Sequence, residues 1–122
     1  MSETSAILAE TCNRLFSDLI KSETLRESEL GVWPDLVWKK IEENGLLFAM
    51  VSESYGGSGV KWIDCFQIIY SSGYYSVPVP LVETIICSWF LSQYNKVPPK
   101  GIITFSGGGK PLDLSGSNNS YK

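Results

Sequence analysis

Glu43-Asn44-Gly45-Leu46-Leu47-Phe48-Ala49-Met50-Val51-Ser52-Glu53-Ser54-Tyr55-Gly56-Gly57-Ser58-Gly59 is the stretch on which the fold turns. Just upstream, Pro34 suits the first turn of a helix whose inner face is Val37, Trp38 and Ile41, and Gly45 marks its end. The apolar run Leu46 to Val51 has no helical period and is expected to pass under the other helices in extended form. The Tyr55-Gly56-Gly57-Ser58-Gly59 turn then reverses the chain, because glycine takes positive φ at little steric cost.

Working outward, Leu8, Cys12, Leu15, Phe16 and Leu19 share one stripe of a helical wheel, flanked by Ile7 and Ile20. The pattern predicts a first helix over residues 4–22, capped by Ser2 or Thr4 and stiffened by a Glu10–Arg14 pair. Ser22 to Glu27 reads as a polar connector. On the other side of the glycine turn, Ile63, Phe66, Gln67 and Tyr70 lie at helical spacing in a third helix over 61–73, with Ile69 beside them. Pro78 and Pro80 open a fourth helix over 80–94 that is apolar on most sides, from Leu81 and Val82 through Ile85 and Ile86 to Trp89, Phe90 and Leu91. A helix with so little polar surface expects neighbours on several faces, more than three short helices supply. After Pro98-Pro99, Gly101 to Phe105 reads as a strand and Ser106 to Gly109 as a glycine turn. One strand without a partner is not independently stable, so this end reads as the opening of a β domain.

The chain of 122 residues is 43% hydrophobic and 19% charged, within the range of a single globular domain. A net charge of −3 leaves no basic stripe for nucleic acid. The most apolar stretch, Val77 to Leu91, is broken by Glu83 and too short to span a bilayer, and no signal peptide is visible in the polar, acidic N-terminus. No membrane partner and a cytoplasmic location are therefore expected. Cys12, Cys65 and Cys87 form no Cys-x-x-Cys pair and histidine is absent, so neither a metal site nor a disulfide framework is expected. Gly57 to Trp62 lacks the third glycine of a dinucleotide fingerprint. Gly107-Gly108-Gly109-Lys110 fails as a phosphate loop, with Thr104 in place of its first glycine and Pro111 in place of its hydroxyl. No nucleophile–base pair and no acid/base couple stands out, so no catalytic residue is assigned within the chain. The Asn118-Asn119-Ser120 sequon is read as chance.

Three phrases taken together carry a resemblance: Trp38-Lys39-Lys40-Ile41, the Gly45 to Gly59 run with its Glu-x-Tyr-Gly-Gly-x-Gly turn, and Pro78-Val79-Pro80-Leu81-Val82-Glu83-Thr84. In this order they resemble the N-terminal helical domain of the acyl-CoA dehydrogenase family, well over residues 30–105 and only generically over the first helix. The resemblance implies an all-α domain over 1–98, a small bundle of four to five helices. It also implies that 99–122 begins a truncated β domain, poorly ordered here. Full-length members hold FAD non-covalently and oxidise an acyl-CoA thioester between its α and β carbons. The catalytic glutamate and nearly all the flavin contacts would lie beyond Lys122, so neither cofactor binding nor activity is expected of this chain alone.

What remains would be a wall. In the family the helix after the Pro-x-Pro turn lines one side of the acyl cavity, which makes Leu81, Thr84, Ile85 and Ser88 the candidate substrate-lining residues, with simple core packing as the competing reading. Glu83 is expected to face solvent and Tyr55 to anchor its loop. The direct step from Lys96 to the Gly101 strand departs from the usual family pattern and resembles divergent subunits of heteromeric members, including those acting on sterol-derived or other bulky acyl groups. A non-catalytic partner subunit and a free-standing helical interaction module are thus the rival readings. A homo- or hetero-oligomer is expected, with self-association through the fourth helix.

Overall fold

The computed structural model describes residues 2–105. Five α-helices occupy them: α1 Glu3–Leu19, α2 Ser22–Glu29, α3 Asp35–Glu43, α4 Trp62–Tyr74 and α5 Leu81–Gln93. The glycine turn after Phe105 and the tail to Lys122 lie outside the described residues.

α1 starts where its sequence says it should. Ser2 caps it by accepting the Ser5 amide at 3.0 Å, and Glu3 sits at the positive end of the helix dipole. Cys12 and Phe16 are fully buried, with Leu8, Leu15 and Leu19 packed around them, so the expected stripe is the inner face. The helix ends three residues early and the expected polar connector is a second helix. Thr24 explains both: its hydroxyl donates to the Leu19 carbonyl (3.1 Å) and accepts the Lys21 amide (3.3 Å). One side chain thus satisfies an orphan carbonyl of α1 and an orphan amide of α2. α2 buries no residue and carries an exposed Glu23–Arg26 pair at 2.7 Å, leaving no apolar period to read.

α3 buries Val37, Trp38 and Ile41, as expected, and gives way at Gly45, whose φ of 70° is the left-handed conformation of a helix stop. The run that follows is not extended. Leu46–Phe48 is a 3₁₀ turn, continued by the Val51 amide bonding the Phe48 carbonyl at 3.1 Å. A lone buried strand would strand its backbone polar groups, and turns satisfy them locally. The glycine loop supplies the rest: Ser58, Gly59 and Val60 amides donate to the Phe48, Val51 and Ala49 carbonyls at 3.2, 2.8 and 2.8 Å. Leu46, Leu47, Ala49, Met50 and Val51 are all buried beneath this clasp.

α4 lies alongside α1, and the two run parallel. At their N-terminal ends Asp64 accepts from the Ser2 and Ser5 hydroxyls. Toward their other ends Tyr75 donates to Asn13 at 3.0 Å and its ring sits 6.0 Å from Phe16. Parallel neighbours need a long crossover, and α2, α3 and the glycine loop provide it. α5 returns antiparallel, placing Trp89 near its end edge-on to Trp62 at the start of α4, centroids 5.0 Å apart.

The helical-spaced set Ile63, Phe66 and Tyr70 faces away from this core. α4 buries Cys65, Ile68 and Ser71 instead, while Ile63, Phe66, Tyr70 and Tyr74 are 54–77% exposed. Small Cys65 and Ser71 let α1 approach closely, with Cys12 on the facing helix. The expected strand is absent too: residues 102–105 have no regular structure, because no second strand is present among the described residues to pair with them.

Candidate functional site

Pro80 precedes the first turn of α5, and from there Leu81, Thr84, Ile85 and Ser88 follow at steps of three and four, which puts them on one face. All four are buried to within 1% of completeness. Leu81 and Ile85 belong to the main apolar core, where α5 packs on the Leu46–Phe48 turn. Thr84 serves a different neighbour. Its hydroxyl donates to the Ile103 carbonyl at 3.0 Å and accepts the Ile103 amide at 3.4 Å, so it holds the 102–105 segment against the helix. Phe105 completes that contact edge-on to Phe90. Ser88, one turn beyond Thr84, has a buried hydroxyl with no hydrogen-bond partner among the described residues. Such a group carries the desolvation cost of burial without the compensating bond.

The four residues picked out from sequence are therefore together, on a seam that is apolar at Leu81 and Ile85 and hydroxyl-bearing at Thr84 and Ser88. In this conformation they line no open groove. Glu83, between them in sequence, faces solvent as expected, and Tyr55 reaches the Asn95 side chain at the end of α5 at 3.5 Å.

Open grooves lie elsewhere, and two of them exceed a third of about 290 Å³ beside Glu27, Trp33 and Val37. One, of about 590 Å³, is bounded by Ser2, Ser5, Trp62, Ile63, Asp64, Phe66 and Gln67. Its floor carries Asp64, whose carboxyl is held below the ordinary carboxylate range by the hydrogen bond from Ser2, then that from Ser5, with help from the Lys61 charge. Sequence offered no sign of this cluster, since its members are about sixty positions apart. The second groove, of about 500 Å³, runs between α3 and the glycine loop past Lys39, Glu42, Glu43, Phe48, Ser58 and Lys100. Its two lysines are offset by two glutamates.

The thiols are unsuited to nucleophilic work. Burial pushes Cys65 up to about 11, and burial together with the neighbouring Cys65 does the same for Cys12. Cys87 is raised by burial and by Glu83. Among the described residues no three His, Cys, Asp or Glu side chains converge as a metal site. A flavin dinucleotide does not fit these residues either. In the groove beside the glycine loop Lys39 and Lys100 stand with Glu42 and Glu43, which oppose a diphosphate, and the loop amides that could face an anion are already bonded to carbonyls of 48–53. No described helix is long and apolar enough to cross a membrane.

Comparison with known proteins agrees with this architecture. The model of the acyl-CoA dehydrogenase N-terminal domain matches residues 2–96. The chain is also similar to an acyl-CoA dehydrogenase, IpdE2, of Mycolicibacterium smegmatis, with 31% identity over 103 residues. That alignment covers 81% of this chain and 33% of the relative, so the chain spans about a third of that protein's length. No solved structure matches. With four-fifths of its length matched, including the glycine clasp and the proline-led α5, the chain belongs to the acyl-CoA dehydrogenase family, whose N-terminal helical domain it carries.

Proposed function

We propose that this chain forms one wall of the acyl cavity of an FAD-dependent dehydrogenase that introduces a double bond between the α and β carbons of an acyl-CoA thioester. The observation that carries the reading is the family match over residues 2–96, which spans α5 and its buried seam. Leu81 and Ile85 would supply apolar surface to the acyl chain, and Thr84 and Ser88 would supply hydroxyls at one point along it. Because Thr84 is covered through its hydrogen bonds to Ile103, an acyl group reaches that part of the seam only as the 102–105 segment moves aside. Flavin binding and proton abstraction belong to the β and C-terminal parts of the assembly, and the isolated chain is inactive. A location in the cytoplasm fits this chemistry.

The test is reconstitution. The chain is purified alone and co-expressed with a polypeptide supplying the other two domains, and both preparations are assayed for bound flavin and for acyl-CoA-dependent dye reduction. Flavin and turnover only in the reconstituted sample, with turnover impaired by Thr84→Val, support the proposal. Turnover by the isolated chain, or none in a flavin-loaded reconstituted sample, overturns it.

A further inference from the structure

A serine inside a helix has a ready fallback: its hydroxyl can bond a carbonyl one turn back. Ser17, Ser72 and Ser92 all take it, donating to the Arg14, Ile69 and Trp89 carbonyls at 3.2, 2.8 and 2.7 Å. Ser88 does not. It is completely buried in the middle of α5, and among the described residues its Oγ is the sole buried side-chain nitrogen or oxygen with no hydrogen-bond partner. Burial without a bond is costly, so alanine would serve a purely structural face better here. Thr84, one turn earlier on the same face, is matched, but by a segment outside the core. Its hydroxyl donates to the Ile103 carbonyl at 3.0 Å and accepts the Ile103 amide at 3.4 Å. These two hydroxyls interrupt a face that is otherwise apolar at Leu81 and Ile85. Charge is absent from it, since the sole charged residue of α5 is Glu83, which faces solvent.

We infer that the acyl group taken by this wall carries a neutral alcohol oxygen, bound between Thr84 and Ser88; the inference rests on α5 lining the acyl cavity as proposed above. Whatever replaces Ile103 at Thr84 must both accept and donate, as that residue does now. A single alcohol oxygen does both, a ketone oxygen only accepts, and a methylene does neither. The same oxygen gives Ser88 the partner it lacks. Four residues of helix rise about 6 Å, and one oxygen bonded to both hydroxyls spans that at about 2.8 Å per bond. A plain alkyl chain would leave both hydroxyls buried and unpaired. Sites of that kind discriminate strongly against a ligand without the matching oxygen. A charged substituent is disfavoured as well, because two neutral hydroxyls do not compensate a desolvated carboxylate and α5 carries no cation to pair with it.

The test compares thioesters of one chain length on the reconstituted, flavin-loaded assembly: decanoyl-CoA, its mono-hydroxy isomers with the alcohol beyond the β carbon, the matching ketones and the ω-carboxylate. Calorimetric Kd and kcat/KM are both measured. The expected order is alcohol, ketone, alkyl chain, carboxylate. The best alcohol isomer should lead decanoyl-CoA by at least about 10-fold in Kd, the worth of one hydroxyl left unpaired. Ser88→Ala should move the two ligands in opposite directions, weakening the alcohol and tightening decanoyl-CoA. Adding Thr84→Val should bring their ratio to within about 3-fold of unity. A substitution that merely loosened the fold would weaken both ligands alike. Equal Kd for every alcohol isomer and decanoyl-CoA, or a ratio untouched by Ser88→Ala, overturns the inference while leaving the proposed activity standing. An assembly that binds none of the series overturns the cavity-wall reading and this inference with it.

Discussion

Gly57 is the residue whose replacement should cost most for the smallest chemical change. A methyl group on its Cα would lie 2.0 Å from the Val51 carbonyl oxygen, 2.5 Å from its carbon and 2.6 Å from its Cβ. These are backbone atoms or atoms fixed to it, and Val51 is fully buried, so no flexible side chain can yield. One strand of the clasp must shift by an ångström or more. The shift acts on the Gly59–Val51 and Val60–Ala49 hydrogen bonds, both 2.8 Å. Overpacking typically costs about 1–3 kcal/mol, and two weakened loop bonds add about 1 kcal/mol each. Gly57→Ala is therefore expected to destabilise by about 3–5 kcal/mol, which in a domain near 100 residues lowers Tm by roughly 15–25 °C. Gly56→Ala is the control. Its φ of 89° is unfavourable for alanine, but no atom lies within 4 Å, so only the left-handed backbone cost of about 1–2 kcal/mol applies. Circular dichroism melts of the two variants against the parent decide the matter. If Gly57→Ala melts no lower than Gly56→Ala, the steric account of the clasp is wrong.

Three other outcomes follow from single groups. Asp64 has a folded pKa below its ordinary 3.8, so its charged form favours the native state. That contribution is complete above about pH 4 and fades as pH falls through the folded value. The Tm gap between the parent and Asp64→Asn should hold from neutral pH down to about 4 and close below it; a gap that widens in acid contradicts the Ser2–Ser5 assignment. Cys12 and Cys65, at about 11 against an ordinary 9.0, work in the opposite direction, with stability present below pH 9 and lost as pH climbs toward 11. In the native chain at neutral pH their reaction with an aromatic disulfide should be slow and limited by unfolding, and rapid labelling of these two thiols would refute their burial. Ser88→Ala removes a hydroxyl that has no bond among the described residues, which relieves about 1–3 kcal/mol of uncompensated desolvation. Its Tm should stay level or rise by several degrees, and a marked fall would reveal a bond to this hydroxyl.

How far sequence could be read depended on how one-sided each element is. α1 and α3 have a single apolar face, so Phe16, Trp38 and Ile41 announced their own burial. α4 is apolar nearly all round. Its large residues made the visible stripe, yet small Cys65 and Ser71 form the side that α1 can approach, because backbone proximity favours small residues over bulky ones. α2 has no core face at all and depends on Thr24, a local cap that no periodicity signals. Between Leu46 and Val51 burial was evident while conformation was not, since backbone satisfaction came from a loop ten residues downstream. On α5, spacing brought Leu81, Thr84, Ile85 and Ser88 to one face; that Ile103 would close over Thr84 was not accessible from any pattern.

Flavin titration tests most directly the proposal that this helical domain is a wall of a dehydrogenase and not the seat of its cofactor. FAD is added to the purified 122-residue chain and its fluorescence and absorbance are followed to excess. No saturable change, and no yellow protein after desalting, is the predicted result. Stoichiometric binding with a saturable signal would place a flavin site within these helices and contradict the reading.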